Sequence, residues 1–143
     1  MGKPGPSLFL TRASFISFLR GRRGVIVRMA RMLFPARRQN YSLSFSFNGH
    51  AFHATFSFLD IEGYFVGEIF LTPEKTSSQL EALARDAMIF ASLALQHGAT
   101  LESLKAAMTR DDRFGYTSVA GQAIGAVADM VEHIKAVGLH ENA

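Results

Sequence analysis

The stretch Ser77 to Gly98 (SSQLEALARDAMIFASLALQHG) does most to limit what this chain can fold into, because it alone carries a long helical period bounded by start and stop signals. Leu80, Leu83, Ala84, Ala87, Phe90, Ala91, Ala94 and Leu95 recur at steps of three and four, the spacing that gathers side chains on one face of an α-helix. Ser77 or Ser78 is placed to cap the first turn, and Gly98, behind His97, sits where a left-handed residue ends a helix. An apolar face of that length needs a surface to cover.

That surface is written just upstream. Tyr41, Leu43, Phe45 and Phe47 alternate with Ser42, Ser44 and Ser46, the two-residue period of a strand with one wet face. Asn48 and Gly49 tolerate the positive φ of a type I′ turn, so the chain is expected to double back into a second strand, His50 to Leu59, with Phe52, Ala54, Phe56 and Phe58 on one face and His53, Thr55 and Ser57 on the other. Asp60 to Gly63 reads as a second turn and Tyr64 to Leu71 as a third strand, closed by Thr72 and Pro73. A phenylalanine-lined meander cannot stay in water, and the helix over 78–97 is its cover. Thr100 then caps a short helix to Met108 with Glu102 in its first turn. After the polar break Arg110 to Gly115, a third helix runs from about Ser118 to Val137. In it Gly121 and Gly125 share a face and permit close approach of another helix.

The expected fold is therefore α+β: a three-stranded antiparallel meander covered on one face by about three helices. It occupies residues 40–137, behind a basic, poorly ordered or weakly helical arm over 1–39 and ahead of a fraying tail over 138–143. The net charge of +3 conceals how different these parts are. Residues 1–59 hold nine basic residues and no acid, whereas residues 60–143 hold six basic and twelve acidic ones. Arg20, Arg22, Arg23, Arg28, Arg31, Arg37 and Arg38 are candidates for gripping phosphates, which makes nucleic acid a candidate partner through the arm; without interleaved stacking aromatics they would hold backbone rather than read bases. A membrane-surface segment and an Arg-rich targeting peptide are the competing readings. Met29 and Met32 stand just ahead of the patterned part, so Met1, Met29 and Met32 are alternative starts and the arm is either upstream translated sequence or a tail.

The chain contains no cysteine, which excludes disulfides, thiolate metal sites and thiol nucleophiles and fits a cytoplasmic setting. No apolar run reaches the length of a membrane span. His50 and His53 fall on opposite faces of a strand, Asp129 and His133 read as a solvated helical pair, and His97 as a helix-end residue, so no catalytic or metal-ligating set is expected. No phosphate-binding glycine loop or nucleophile elbow occurs either. Glu68 stands in mid-strand, where a carboxylate must face water or meet a base such as Arg85 on the covering helix; Arg85 and Asp86 form a second candidate for an ion pair or an interface contact.

Gly67 to Leu71 (GEIFL), Ser77 and Ser78, Ala84 to Asp86, and above all Ala91 to Gly98 (ASLALQHG) followed by Leu101 and Glu102 resemble the TSCPD-type domain. That domain closes adenosylcobalamin-dependent (class II) ribonucleotide reductases and also occurs as small free-standing proteins of bacteria and their prophages. The resemblance covers about residues 40–135 and includes Thr117 to Val131. It implies an accessory module that docks on a protein partner or on itself, with Glu68, Arg85, Asp86, Gln96 and His97 as contact candidates. It implies no cofactor bound by this chain, adenosylcobalamin belonging to the parent enzyme. The cysteines of the reductase-associated versions are missing here. A chain of this length without a radical-forming cysteine is not expected to reduce ribonucleotides alone; a reductase-related subunit working with a larger catalytic chain is the enzymatic alternative.

Overall fold

Asn48 and Gly49 take φ of +49° and +78°, and this left-handed pair folds β1 (Asn40–Phe47) back onto β2 (His50–Phe58). The structure is a computed structural model that describes residues 30–60, 65–75 and 79–141. β3 (Val66–Pro73) pairs antiparallel with the other side of β2, so the sheet order is β1-β2-β3. The turn expected at Asp60 to Gly63 falls largely outside the described residues, as do the cap candidates Ser77 and Ser78.

Register follows from the alternation. Tyr41 opposes Phe56, Leu43 opposes Ala54 and Phe45 opposes Phe52, so the apolar phase of both strands lies on one face. Tyr41 stacks on Phe56 and Phe45 on Phe52, each with ring centroids 5.6 Å apart. On the other face the polar phase is stitched across the strands: Ser42 to Thr55 at 3.0 Å, Ser44 to His53 at 2.7 Å, and Ser57 Oγ donating to Asn40 Oδ1 at 2.8 Å.

Two helices roof the apolar face. α1 (Gln79–Gln96) lies along β3, while α3 (Val119–Glu141) packs against β1, β2 and α1; the short α2 (Leu101–Ala107) is held on α3. Phe56, Phe58, Ile69, Met88, Leu95, Ile124 and Val127 form the fully buried centre. Thr100 caps α2 as its position suggests, in a reciprocal box with Ser103, and Lys105 Nζ reaches Asp129 Oδ1 on α3 at 2.8 Å. That hydrogen bond to Asp129 holds the Lys105 ammonium above the usual lysine range, and it makes Lys105 rather than His133 the partner of Asp129.

The glycine pair on α3 serves another purpose than a helix crossing. Between α2 and α3 the chain forms a small hairpin, β4 (Arg110–Asp111) with β5 (Gly115–Tyr116), and the Tyr116 ring settles over Gly121 and Gly125. A Cβ on Gly125 would run into that ring. Arg110 donates to the Tyr116 hydroxyl at 2.7 Å and lies over its ring, which fixes the hairpin on the helix.

Candidate functional site

The α1–β3 seam gathers several of the residues singled out from the sequence. β3 carries a bulge: Ser57 opposes Glu68 and Phe58 opposes Val66, which leaves Gly67 as the extra residue. Only glycine fits there, because the Leu59 side chain occupies the space a Cβ would need. The bulge frees the Gly67 carbonyl, and Gln96 Nε2 donates to it at 2.9 Å. One turn back on α1, Ser92 Oγ accepts from the Ile69 N–H at 2.9 Å, and its single proton is shared between the carbonyls of Met88 (2.8 Å) and Ile69 (3.2 Å). Two α1 side chains thus satisfy backbone groups on the outer edge of β3.

Gln96, 2% exposed, is also an anchor for what precedes the sheet. Its carbonyl oxygen Oε1 accepts from Arg31 Nε and its main-chain carbonyl from the Met32 N–H. Residues 31–39 then lead from the end of α1 to β1, with Arg38 over the Phe34 ring and 3.4 Å from Glu68 Oε2. The packed body accordingly begins at Arg31, not at residue 40. Its aperiodic, Arg-rich start had suggested a loose arm, yet three of its residues are held by Gln96 and Glu68.

The expected pairing of Glu68 with Arg85 does not form. Ile69 and Leu71 point into the core under α1, so Glu68, one residue out of phase, points to the opposite face and meets Arg38. The contact is a charge pair without hydrogen-bond geometry, and Glu68 Oε2 is buried. Arg85 instead bonds Glu81 at 2.8 Å, one turn away on the exposed side of α1. Asp86 and His97 are exposed. Of the phosphate candidates, Arg31 and Arg38 are engaged within the body and Arg37 is exposed. Arg20, Arg22, Arg23 and Arg28 lie outside the described residues.

The largest surprise is the outer face of α1. Leu80, Leu83 and Phe90, assigned by period to the covered face, are exposed, Phe90 at 71% and Leu83 at 62%, and Ile89 and Leu93 join them. The buried side is instead Ala84, Met88, Ala91, Ser92, Leu95 and Gln96. The small and polar members of that set fit because the helix sits close to β3 and bonds its edge. A usable signal was present: α1 holds only Glu81, Arg85 and Asp86 as charges, and a helix apolar around its circumference is one that expects burial on every side. Asp86 stands between Leu83 and Phe90 on this stripe and makes no ion pair among the described residues.

No group of three or more His, Asp or Glu residues able to hold a metal lies among the described residues. Ser44 and His53 do meet, as an exposed cross-strand pair with no acidic partner bonded to His53 among the described residues. Among the described residues no helix is long and apolar enough to cross a membrane. Compared with protein-family models, with curated proteins and with solved structures, the chain gives no match.

Proposed function

We propose that the chain is a non-catalytic docking module, working in the cytoplasm, that presents the outer face of α1 to a protein partner. The observation that carries the reading is the row of exposed apolar side chains Leu80, Leu83, Ile89, Phe90 and Leu93 on one helix. Asp86 in the middle of the row specifies the partner's chemistry: an apolar ridge with a Lys or Arg able to reach the carboxylate. The resemblance to the accessory domain of the adenosylcobalamin-dependent reductase supports the same role. It also makes a large reductase catalytic chain, which would bring its own cofactor and radical chemistry, the first partner to try.

The test places a photo-cross-linking amino acid at Phe90 and, as a control, at Phe114, an isolated exposed ring at the β4–β5 turn. A discrete protein adduct at Phe90 that is absent at Phe114, and that Asp86→Lys abolishes while circular dichroism is unchanged, is the expected result. Equal adducts at both positions, or none at Phe90, would remove the basis of the proposal. Restored reductase activity on mixing with a catalytic chain would identify the partner.

A further inference from the structure

The two edges of the sheet are treated in opposite ways. On β3 the outward groups of Gly67 and Ile69 are met by Gln96 and Ser92, the strand is bent by its bulge, and it ends on Pro73, which has no N–H to offer. β1 has none of these devices. Asn40–Phe47 pairs with β2 without a break and contains no charge, proline or glycine.

The groups that β1 turns outward follow from the register. Ile69 bonds Ser92, so its N–H and C=O point away from β2, and Glu68, Phe70 and Thr72 point towards it. Their partners Ser57, Thr55 and His53 therefore face β3, which leaves Phe56, Ala54 and Phe52 to bond Tyr41, Leu43 and Phe45. Ser42, Ser44 and Ser46 are left pointing away from the sheet, and among the described residues no backbone hydrogen bond reaches them from that side.

Independently of what α1 carries, we propose that this edge pairs with the same edge of a second copy. The two β1 strands would run antiparallel about a two-fold axis at Ser44, and the two sheets would join into one. Opposed residues of an antiparallel ladder share a face, so identical strands keep their apolar faces together only when opposed residue numbers sum to an even value. Centring on Ser44 sets Leu43 against the second copy's Phe45 and Tyr41 against its Phe47, so every apolar residue of the strand meets another. Centring on Leu43 would leave Phe47 facing Gln39. All four of these side chains are only half-buried within one copy, and the pairing opposes no like charges along the strand. Complementarity of the strand to itself is what selects a second copy over a foreign strand.

Sedimentation of the full chain, alongside Ser44→Pro and Ser44→Cys variants, tests this. The Ser44 N–H points away from β2, so proline there removes no backbone bond of the hairpin, only the exposed side-chain bond to His53, while it blocks the edge. Wild type should sediment at twice the chain mass and Ser44→Pro at the single mass, with unchanged far-ultraviolet circular dichroism. Because the chain has no cysteine, Ser44→Cys supplies the sole thiol. Opposed Cα atoms at about 5.5 Å lie within disulfide reach, so oxidation should link the dimer, whereas Ser46→Cys, which would face Ser42, should stay unlinked. Should Ser44→Pro fail to fold, the contrast between the two cysteine variants decides alone. A wild type that is monomeric across a concentration series overturns the proposal. So does a dimer that survives Ser44→Pro, and so does equal cross-linking of the two cysteine variants. A dimer dissolved by Phe90→Ser instead would assign self-association to α1.

Discussion

Along β2 every large apolar side chain turns inward: Phe52, Phe56 and Phe58 are all buried, and the residues between them are His53, Thr55 and Ser57. Along α1, which packs on the same core, Met88 and Leu95 are buried while Leu80, Leu83, Ile89, Phe90 and Leu93 face out. The strand uses its whole apolar content inside the chain; the helix carries more than its contact with β3 can absorb. Packing a core does not require that surplus, and the proposed docking face is built from it. The two elements also differ in how they join their neighbours. β2 is held on both sides by backbone ladders, whereas α1 is fastened to β3 by side chains, Ser92 and Gln96.

The largest expected effect comes from the strand. Phe56→Ala removes a ring with 0% exposure that touches Tyr41 and Phe58, and should cost about 3–5 kcal/mol in denaturant unfolding. A loss below about 1 kcal/mol would mean that the core tolerates the cavity and that β2 is not the fully committed element described above.

A smaller effect tests how α1 is fastened. Gln96→Ala strands the Gly67 carbonyl and removes the Oε1 acceptor of Arg31, two groups that this amide joins. Leaving a buried acceptor unpaired should cost about 1–3 kcal/mol, and amide hydrogen exchange should rise at Ile69 and Met32 before it rises in β1 or β2. If exchange rises evenly across the sheet, the seam is not a separate fastening, and the contrast between ladder-held and side-chain-held elements fails.

What was legible in the residues follows the same division. The meander could be read because period two leaves no choice of face: with Ser at 42, 44 and 46, the rings at 45 and 47 have one direction to point. The α+β class and the helical cover came with it. The face of α1 could not be read from period alone, because Leu83 and Phe90 fit a stripe as regular as Ala84, Met88, Ala91 and Leu95; which stripe is buried was decided by the bonds of Ser92 and Gln96 to a strand edge, a tertiary fact. Residues 31–39 have no period to read, and their attachment depends on Gln96 and Glu68, both far along the chain. Gly121 and Gly125 correctly signalled a close approach, but glycine spacing does not say whether a helix or a ring will fill the gap.

The smallest effect on stability should come from the most conspicuous side chain. Phe90→Ala truncates a ring of the same size as Phe56 on the same core-forming layer, yet its 71% exposure means that folding removes little of it from water. The unfolding free energy should change by less than about 0.5 kcal/mol, and solubility should improve as the patch shrinks. If partner contact is what the ring is for, the same variant should weaken capture of the photo-cross-linked partner at a neighbouring position such as Leu83, although the fold is untouched. Two phenylalanines would then separate cleanly, one that stabilises without binding and one that binds without stabilising. A loss above about 1 kcal/mol would instead show that Phe90 packs within the chain, and the surplus of α1 would belong to folding after all.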